Sequence, residues 1–212
     1  MRLDAPDAPD APDAPVGLAV FFHGLGGDVN TLMDSDWIRA LRAEGWAVAS
    51  SDFHLNAWGA PETTVDLQSL TSWASDATGM APTLMISDSM GALTSLNAIV
   101  RGGTFVPCWY GVESVVDLRT VESIAGAPAQ IEKSYGGKPT VADNPIENVD
   151  KLTRNETIFR LIGAENDTII SNSANSLEFS NALRAAGGDV SYRGVAADHG
   201  GREGALVKIH KP

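Results

Sequence analysis

The sequence predicts a three-layer α/β/α protein, with a mostly parallel sheet of about six strands covered by helices on both faces. Three observations carry this. Short apolar runs of strand length alternate with longer segments whose apolar residues recur at helical spacing. The first run, Gly17-Leu-Ala-Val-Phe-Phe22, is apolar without alternation, as a strand buried on both faces requires. Residues able to do chemistry gather in the turns directly after the runs, where open α/β sheets hold their ligands.

The elements follow in order. Residues 34–44 carry Trp37, Ile38 and Leu41 at helical spacing, with Gly45 as a stop. Trp46–Ser50 is the second strand. Residues 65–77 place Leu67, Leu70, Trp73 and Ala74 on one helical face. Residues 82–86 form a short buried strand, and a helix over 89–101 starts directly after it and ends at Gly102-Gly103. A further strand lies within 105–116. Residues 117–156 break the rhythm with Gly126, Pro128, Gly136-Gly137, Pro139 and Pro145, and read as an irregular, lid-like region. A strand over 157–162, a helix over 172–186, a strand over 190–195 and a closing helix over 201–209 complete the pattern.

Ahead of this single domain, residues 16–212, the stretch DAPDAPDAPDAP repeats one triplet four times over residues 4–15. Proline at every third position fixes φ and removes donors, and no large apolar residue is available to pack. Residues 1–15 therefore read as an exposed Pro/Asp-rich flexible arm, with tethering to something larger as a further reading. The net charge is −12; Arg2 and four aspartates in the arm account for −3 of it, leaving −9 on the domain. Such a surface repels phosphate backbones and excludes nucleic acid as a partner. The single cysteine, Cys108, rules out an internal disulfide framework and any Cys-rich metal site. No apolar run is long enough for a transmembrane segment, and no signal peptide is visible. A cytoplasmic and a virion-associated setting both fit, and nothing in the sequence sets an oligomeric state.

The turns after the strands read His23-Gly24-Leu25-Gly26-Gly27, Asp52-Phe-His-Leu-Asn-Ala-Trp-Gly59, Ser87-Asp88-Ser89-Met90-Gly91, Gly163-Ala-Glu-Asn-Asp167 and Ala197-Asp198-His199-Gly200. Serine, acid and histidine thus fall in that chain order, each after a different strand. A serine hydroxyl is a weak nucleophile that needs a neighbouring base, and an imidazole base needs an acid to hold it. Ser89, with small Ser87 and Gly91 two residues either side, suits a sharp strand-to-helix turn. Shifting the frame to Asp88 puts Ile86 where a small residue is required. His199 is the base, since His23 braces its own loop, His54 precedes the serine and His210 sits at a fraying end. Asp167 is the acid, with Glu165 as competitor, and Asp198 points away or caps a turn. The N–H groups of Leu25 and Met90 are placed to form an oxyanion hole. Trp58 and Trp109, with Tyr110, either wall the substrate-binding site or belong to the core. No metal is expected, because no histidine–carboxylate cluster has ligand spacing.

In these motifs, HGLGG, SDSMG, GAEND and DHG, the chain resembles the α/β-hydrolase superfamily over roughly Val16 to Ile209, in its compact esterase, cutinase-like and thioesterase-like form. The resemblance implies a parallel-centred sheet, a triad of Ser89, Asp167 and His199, and cofactor-free hydrolysis of esters through an acyl-enzyme. Two departures stand out: serine replaces the first glycine of the elbow, at Ser87, and the chain is short enough that the leading antiparallel strands of larger members look absent. The substrate expected is a small-molecule, glycan-linked or lipid-linked ester. The same three residues would serve a thioesterase or an acyltransferase, and the fold can also be kept as a non-catalytic binding module.

Overall fold

Gly17–Phe22 is buried at every residue. The computed structural model describes residues 1–6 and 15–200 and places this segment within a seven-stranded sheet. The strands are β1 (Arg2–Asp4), β2 (Gly17–Phe22), β3 (Trp46–Ser50), β4 (Pro82–Asp88), β5 (Cys108–Val112), β6 (Ile158–Ala164) and β7 (Val190–Val195), ordered β1-β3-β2-β4-β5-β6-β7. Strands β2 to β7 are parallel, the six expected, and β1 is antiparallel to β3.

Alternation along β2 divides the core. Leu18, Val20 and Phe22 join a large cluster with α2 (Pro61–Thr78), α3 (Gly91–Val100) and α6 (Ser176–Ala185). Ala19 and Phe21 face the other way, against Ile38 and Leu41 of α1 (Asp36–Ala43). Local sequence sets the helix ends. The Ser35 hydroxyl caps α1 by accepting the Ile38 N–H. Pro61 opens α2, and Gly79, at φ +71°, closes it in the left-handed conformation. Helix α3 is buried from Gly91 through Ile99, so it is the helix the rest of this face packs around.

The chain runs from β2 outward to β3, then crosses back to β4 on the other side of β2. The carboxyl ends of β2 and β4 therefore flank the point where strand order reverses, which is where open α/β sheets bind ligands.

Several expectations change. The arm over residues 1–15 does not begin at the N-terminus: Arg2–Asp4 is β1, Leu3 packs on the large core cluster, and Arg42 donates to the Ala5 carbonyl. One apolar residue with a paired backbone is enough to add an edge strand here, so a leading antiparallel strand is present after all. The repeat over residues 7–14 and the closing helix over 201–209, with His210, lie outside the described residues. The irregular region 117–156 contains α4 (Ala127–Tyr135), α5 (Val149–Leu152) and several 3₁₀ turns. Helix α4 buries only Ala127 and Ile131, too few apolar positions to show as a periodic stripe. Among the described residues, no helix is long and apolar enough to cross a membrane.

Candidate active site

Ser89 stands between β4 and α3 at φ +49°, in the left-handed region that non-glycine residues rarely occupy. Two backbone bonds hold it there: its N–H donates to the Val112 carbonyl at 2.9 Å, and its carbonyl accepts the Val115 N–H at 3.0 Å. Gly91 is required by proximity, since a Cβ there would sit 2.4 Å from the Phe22 carbonyl oxygen. The serine that replaces the other glycine is also explained. Ser87 is fully buried, and its hydroxyl meets the Ser95 hydroxyl of α3 at 2.7 Å. Ser95 in turn accepts the Trp109 indole N–H at 2.8 Å. A small polar side chain is tolerated because a buried hydroxyl is waiting for it.

His199 reaches Ser89 from the loop after β7, with Nε2 3.1 Å from Oγ. Its other ring nitrogen, Nδ1, lies 2.6 Å from Asp167 Oδ2. Asp167 is nearly enclosed, and its second oxygen accepts the N–H groups of Ile169 at 2.9 Å and Ile170 at 2.7 Å. One carboxylate oxygen thus fastens the loop after β6, which leaves the other aimed at the imidazole. If Nδ1 carries the proton and donates to Asp167, Nε2 is left as acceptor for the serine O–H. A hydroxyl, imidazole and carboxylate linked in this way can move a proton from oxygen to ring nitrogen and hold the resulting positive charge.

The His23–Gly27 turn passes directly beside the serine. A Cβ on Gly24 would lie 2.9 Å from Asp88 Oδ2 and 3.4 Å from Ser89 Cβ. The turn is closed by the Gly27 N–H on the Gly24 carbonyl and braced by His23, whose ring nitrogens lie 2.9 Å from the carbonyl oxygens of Gly24 and Asp52. The Gly26 N–H donates to Asn56 Oδ1 at 2.8 Å. Among the described residues, neither the Leu25 N–H nor the Met90 N–H has an acceptor within the protein. Met90 sits at the N-terminal end of α3, where backbone donors favour negative charge.

Other candidates fall elsewhere. Glu165 lies across Gly194 of β7, where a Cβ on Gly194 would meet Glu165 Oε1 at 2.4 Å. His54 turns outward to Asp66, at 2.6 Å. Asp198 neither points away nor only caps its own turn: Oδ1 accepts the Thr168 N–H at 2.9 Å and the His199 N–H at 2.8 Å, tying the loops after β6 and β7 together. Those bonds, the Thr168 amide's first, hold its carboxyl below the usual carboxylate range.

Of the two readings of the tryptophans, burial favours the core. Trp109 is fully buried in the main core against Phe159 and Phe179, because its strand position faces α3 and α6. Trp58 is buried too. It packs with Met90, Leu93 and Ile131, and donates its indole N–H to Gln130 of α4 at 3.0 Å. The large apolar side chains exposed on the site's loops are instead Leu25, Leu55 and Ile169, after β2, β3 and β6. Periodicity missed them because single apolar residues in loops form no pattern. Asn56 and Glu113 were missed because each is tied in by a single long-range hydrogen bond, which leaves no trace in spacing.

No family model matches the sequence, and no curated protein matches it. Solved structures do. Fluorophosphonate-binding serine hydrolase F of Staphylococcus aureus superposes with a TM-score of 0.74 at 14% identity, covering 90% of this chain and 80% of that one. The chain has the α/β-hydrolase fold. An S-formylglutathione hydrolase from Agrobacterium tumefaciens shares the α/β-hydrolase arrangement at TM-score 0.67 and 12% identity, covering 91% of this chain and 80% of that one. A puromycin-hydrolyzing peptidase from Mycobacterium tuberculosis gives TM-score 0.73 at 20% identity over 94% of this chain, which spans about a third (34%) of the peptidase's length. Within the α/β-hydrolase frame, Ser89 occupies the strand-to-helix turn at the reversal point, and His199 and Asp167 follow β7 and β6.

Proposed function

We propose that the protein is a serine esterase that cleaves carboxylic esters through an acyl-enzyme. The carrying observation is the unbroken line from Ser89 Oγ to His199 Nε2 at 3.1 Å and from Nδ1 to Asp167 at 2.6 Å, next to a turn with unengaged N–H groups. In this reading His199 removes the Ser89 proton as Oγ attacks the ester carbon. The Leu25 and Met90 N–H groups receive the oxyanion, and Asp167 stabilises the imidazolium. His199 then returns the proton to the departing alkoxide. Water, activated by the same imidazole, hydrolyses the acyl-enzyme and restores the serine. The positive φ of Ser89 supports the assignment, because backbone strain held by neighbouring bonds clusters at functional sites.

Two features bear on the substrate. Loops 23–35, 51–60 and 165–175 contain no Lys or Arg, which disfavours a strongly anionic ester. Leu25, Leu55 and Ile169 give the mouth an apolar rim. An uncharged ester with an apolar acyl group, free or carried by a glycan or an envelope lipid, fits both. The test is turnover of p-nitrophenyl acetate, butyrate and octanoate beside acetylated glycans, with Ser89→Ala as control. Turnover that rises with acyl length and vanishes in S89A is expected; a wild type inert to the whole panel contradicts the reading.

A further inference from the structure

Glu113 follows β5, the strand between the one that delivers Ser89 and the one that delivers Asp167. Like Ser89 it sits at φ +49°, and its N–H donates to the Ile162 carbonyl at 2.9 Å. A non-glycine residue in that conformation costs free energy that the surrounding bonds must offset. The result is to turn a long acidic side chain inward, where only 3% of it is exposed. Glu113 Oε2 accepts the Gly200 N–H at 2.6 Å, and the same oxygen lies 3.7 Å from His199 Nδ1. That is too long for a hydrogen bond, and Asp167 already holds Nδ1. It is well inside the range at which an opposite charge favours an ionised imidazole.

We infer that Glu113 is a second carboxylate serving His199: it fixes the base through the neighbouring Gly200 amide and adds negative charge on the Asp167 side of the ring. The inference rests on the serine-esterase reading and makes Glu113 a positioning residue, since it acts through His199 and the Gly200 amide. Among the described residues, the charged groups facing His199 are Asp167 from the loop after β6, Glu113 from the end of β5, and Asp198 on its own loop, whose Oδ1 accepts the His199 N–H. All are acidic. The imidazolium formed during proton transfer therefore meets more than one carboxylate, and Glu113 adds one on the Nδ1 side beyond the Asp167 oxygen that is hydrogen-bonded to the ring.

Glu113→Gln keeps an acceptor for the Gly200 N–H and removes the charge; Glu113→Ala removes both. With p-nitrophenyl butyrate, E113Q is expected to lower kcat about three- to tenfold with KM within about twofold, and to move the acid limb of kcat/KM to lower pH by about half a unit or more. The sign follows from losing a charge that favours the protonated ring. E113A should lose more activity, and Glu113→Asp, which restores the charge, should return the limb toward its original position. The charge should also matter more when Asp167 is disabled, so E113Q should cost more in a D167N background than alone. A wild-type acid limb in both E113Q and E113A overturns the inference, whatever happens to kcat, because a merely structural role would leave the profile in place. If E113Q does not fold, E113D against E113A decides the same point. A wild type that neither turns over the ester nor takes a fluorophosphonate on Ser89 instead overturns the esterase reading itself.

Discussion

His199 Nδ1 and Asp167 Oδ2 are 2.6 Å apart, although 32 residues separate them, because β6 and β7 are neighbours in parallel register and their loops are tied through Asp198. Asp167 is itself held by two backbone N–H groups, so the imidazole is oriented by an acid that cannot swing away. Asp167→Asn should leave the fold intact and lower kcat/KM for p-nitrophenyl butyrate by about 10²–10⁴, since the amide favours the wrong tautomer. Steady-state kinetics check this; a loss of less than about threefold would move the acid's role elsewhere.

The elbow makes opposite predictions for its two small residues. Ser87→Gly should keep activity within about twofold and cost about 1 kcal/mol of stability through the lost Ser95 contact. Gly91→Ala should cost about 3 kcal/mol and lower kcat more than about tenfold, because its Cβ collides with the backbone of β2 and displaces the Met90 amide. Denaturant melts and kinetics on both variants check the contrast. Equal tolerance at the two positions would mean that the elbow is looser than its geometry.

Asn56 accepts the Gly26 N–H at 2.8 Å and so holds the turn that presents Leu25. Asn56→Ala should lower kcat about tenfold with KM changed less than about twofold, because the turn's donors matter most as charge develops. Asn56→Asp, which keeps the acceptor, should recover most of the loss. A rise in KM alone would assign Asn56 to ground-state binding.

Away from the site, Asp117 anchors the irregular region through bonds from Asn144 Nδ2 at 3.0 Å and the Arg119 N–H at 2.9 Å. Burial pushes its carboxyl up, but the hydrogen bonds from Arg119 and Asn144 and the Arg119 charge outweigh this and leave it below its ordinary value. A depressed carboxyl contributes stability that is fully present above its unfolded value, about 3.9, and is lost as pH falls through the folded one. Asp117→Asn should therefore cost about 1–3 kcal/mol at pH 7 and clearly less at pH 3, measured by urea denaturation. Most of this belongs to the buried Asn144 contact, since the Arg119 side chain is largely exposed. An equal cost at both pH values would contradict the assignment.

The parallel sheet was legible because apolar runs such as Gly17–Phe22 and the Leu67, Leu70, Ala74 stripe are periodic, and periodicity survives without tertiary information. The convergence of Ser89, Asp167 and His199 was legible because each lies in a turn after a strand, and parallel topology brings such turns to one edge. Trp58 and Trp109 were left open between site wall and core for the converse reason. A residue's position along a strand says which edge it is near, and its burial depends on what packs above it: α3 and α6 for Trp109, α4 for Trp58. Glu113 and Asn56 act through single long-range hydrogen bonds to Gly200 and Gly26, and a bond of that kind leaves no trace in spacing. The β1 strand was hidden by the repeat that follows it, whose composition dominated the reading of residues 1–15.

The measurement that bears most directly on the central claim is covalent labelling by a fluorophosphonate probe, mapped by peptide mass spectrometry on wild type, Ser89→Ala and His199→Ala. One adduct is expected, on the peptide containing Ser89, absent in S89A and formed far more slowly in H199A. An unlabelled wild type, or an adduct that persists in S89A, would contradict that claim.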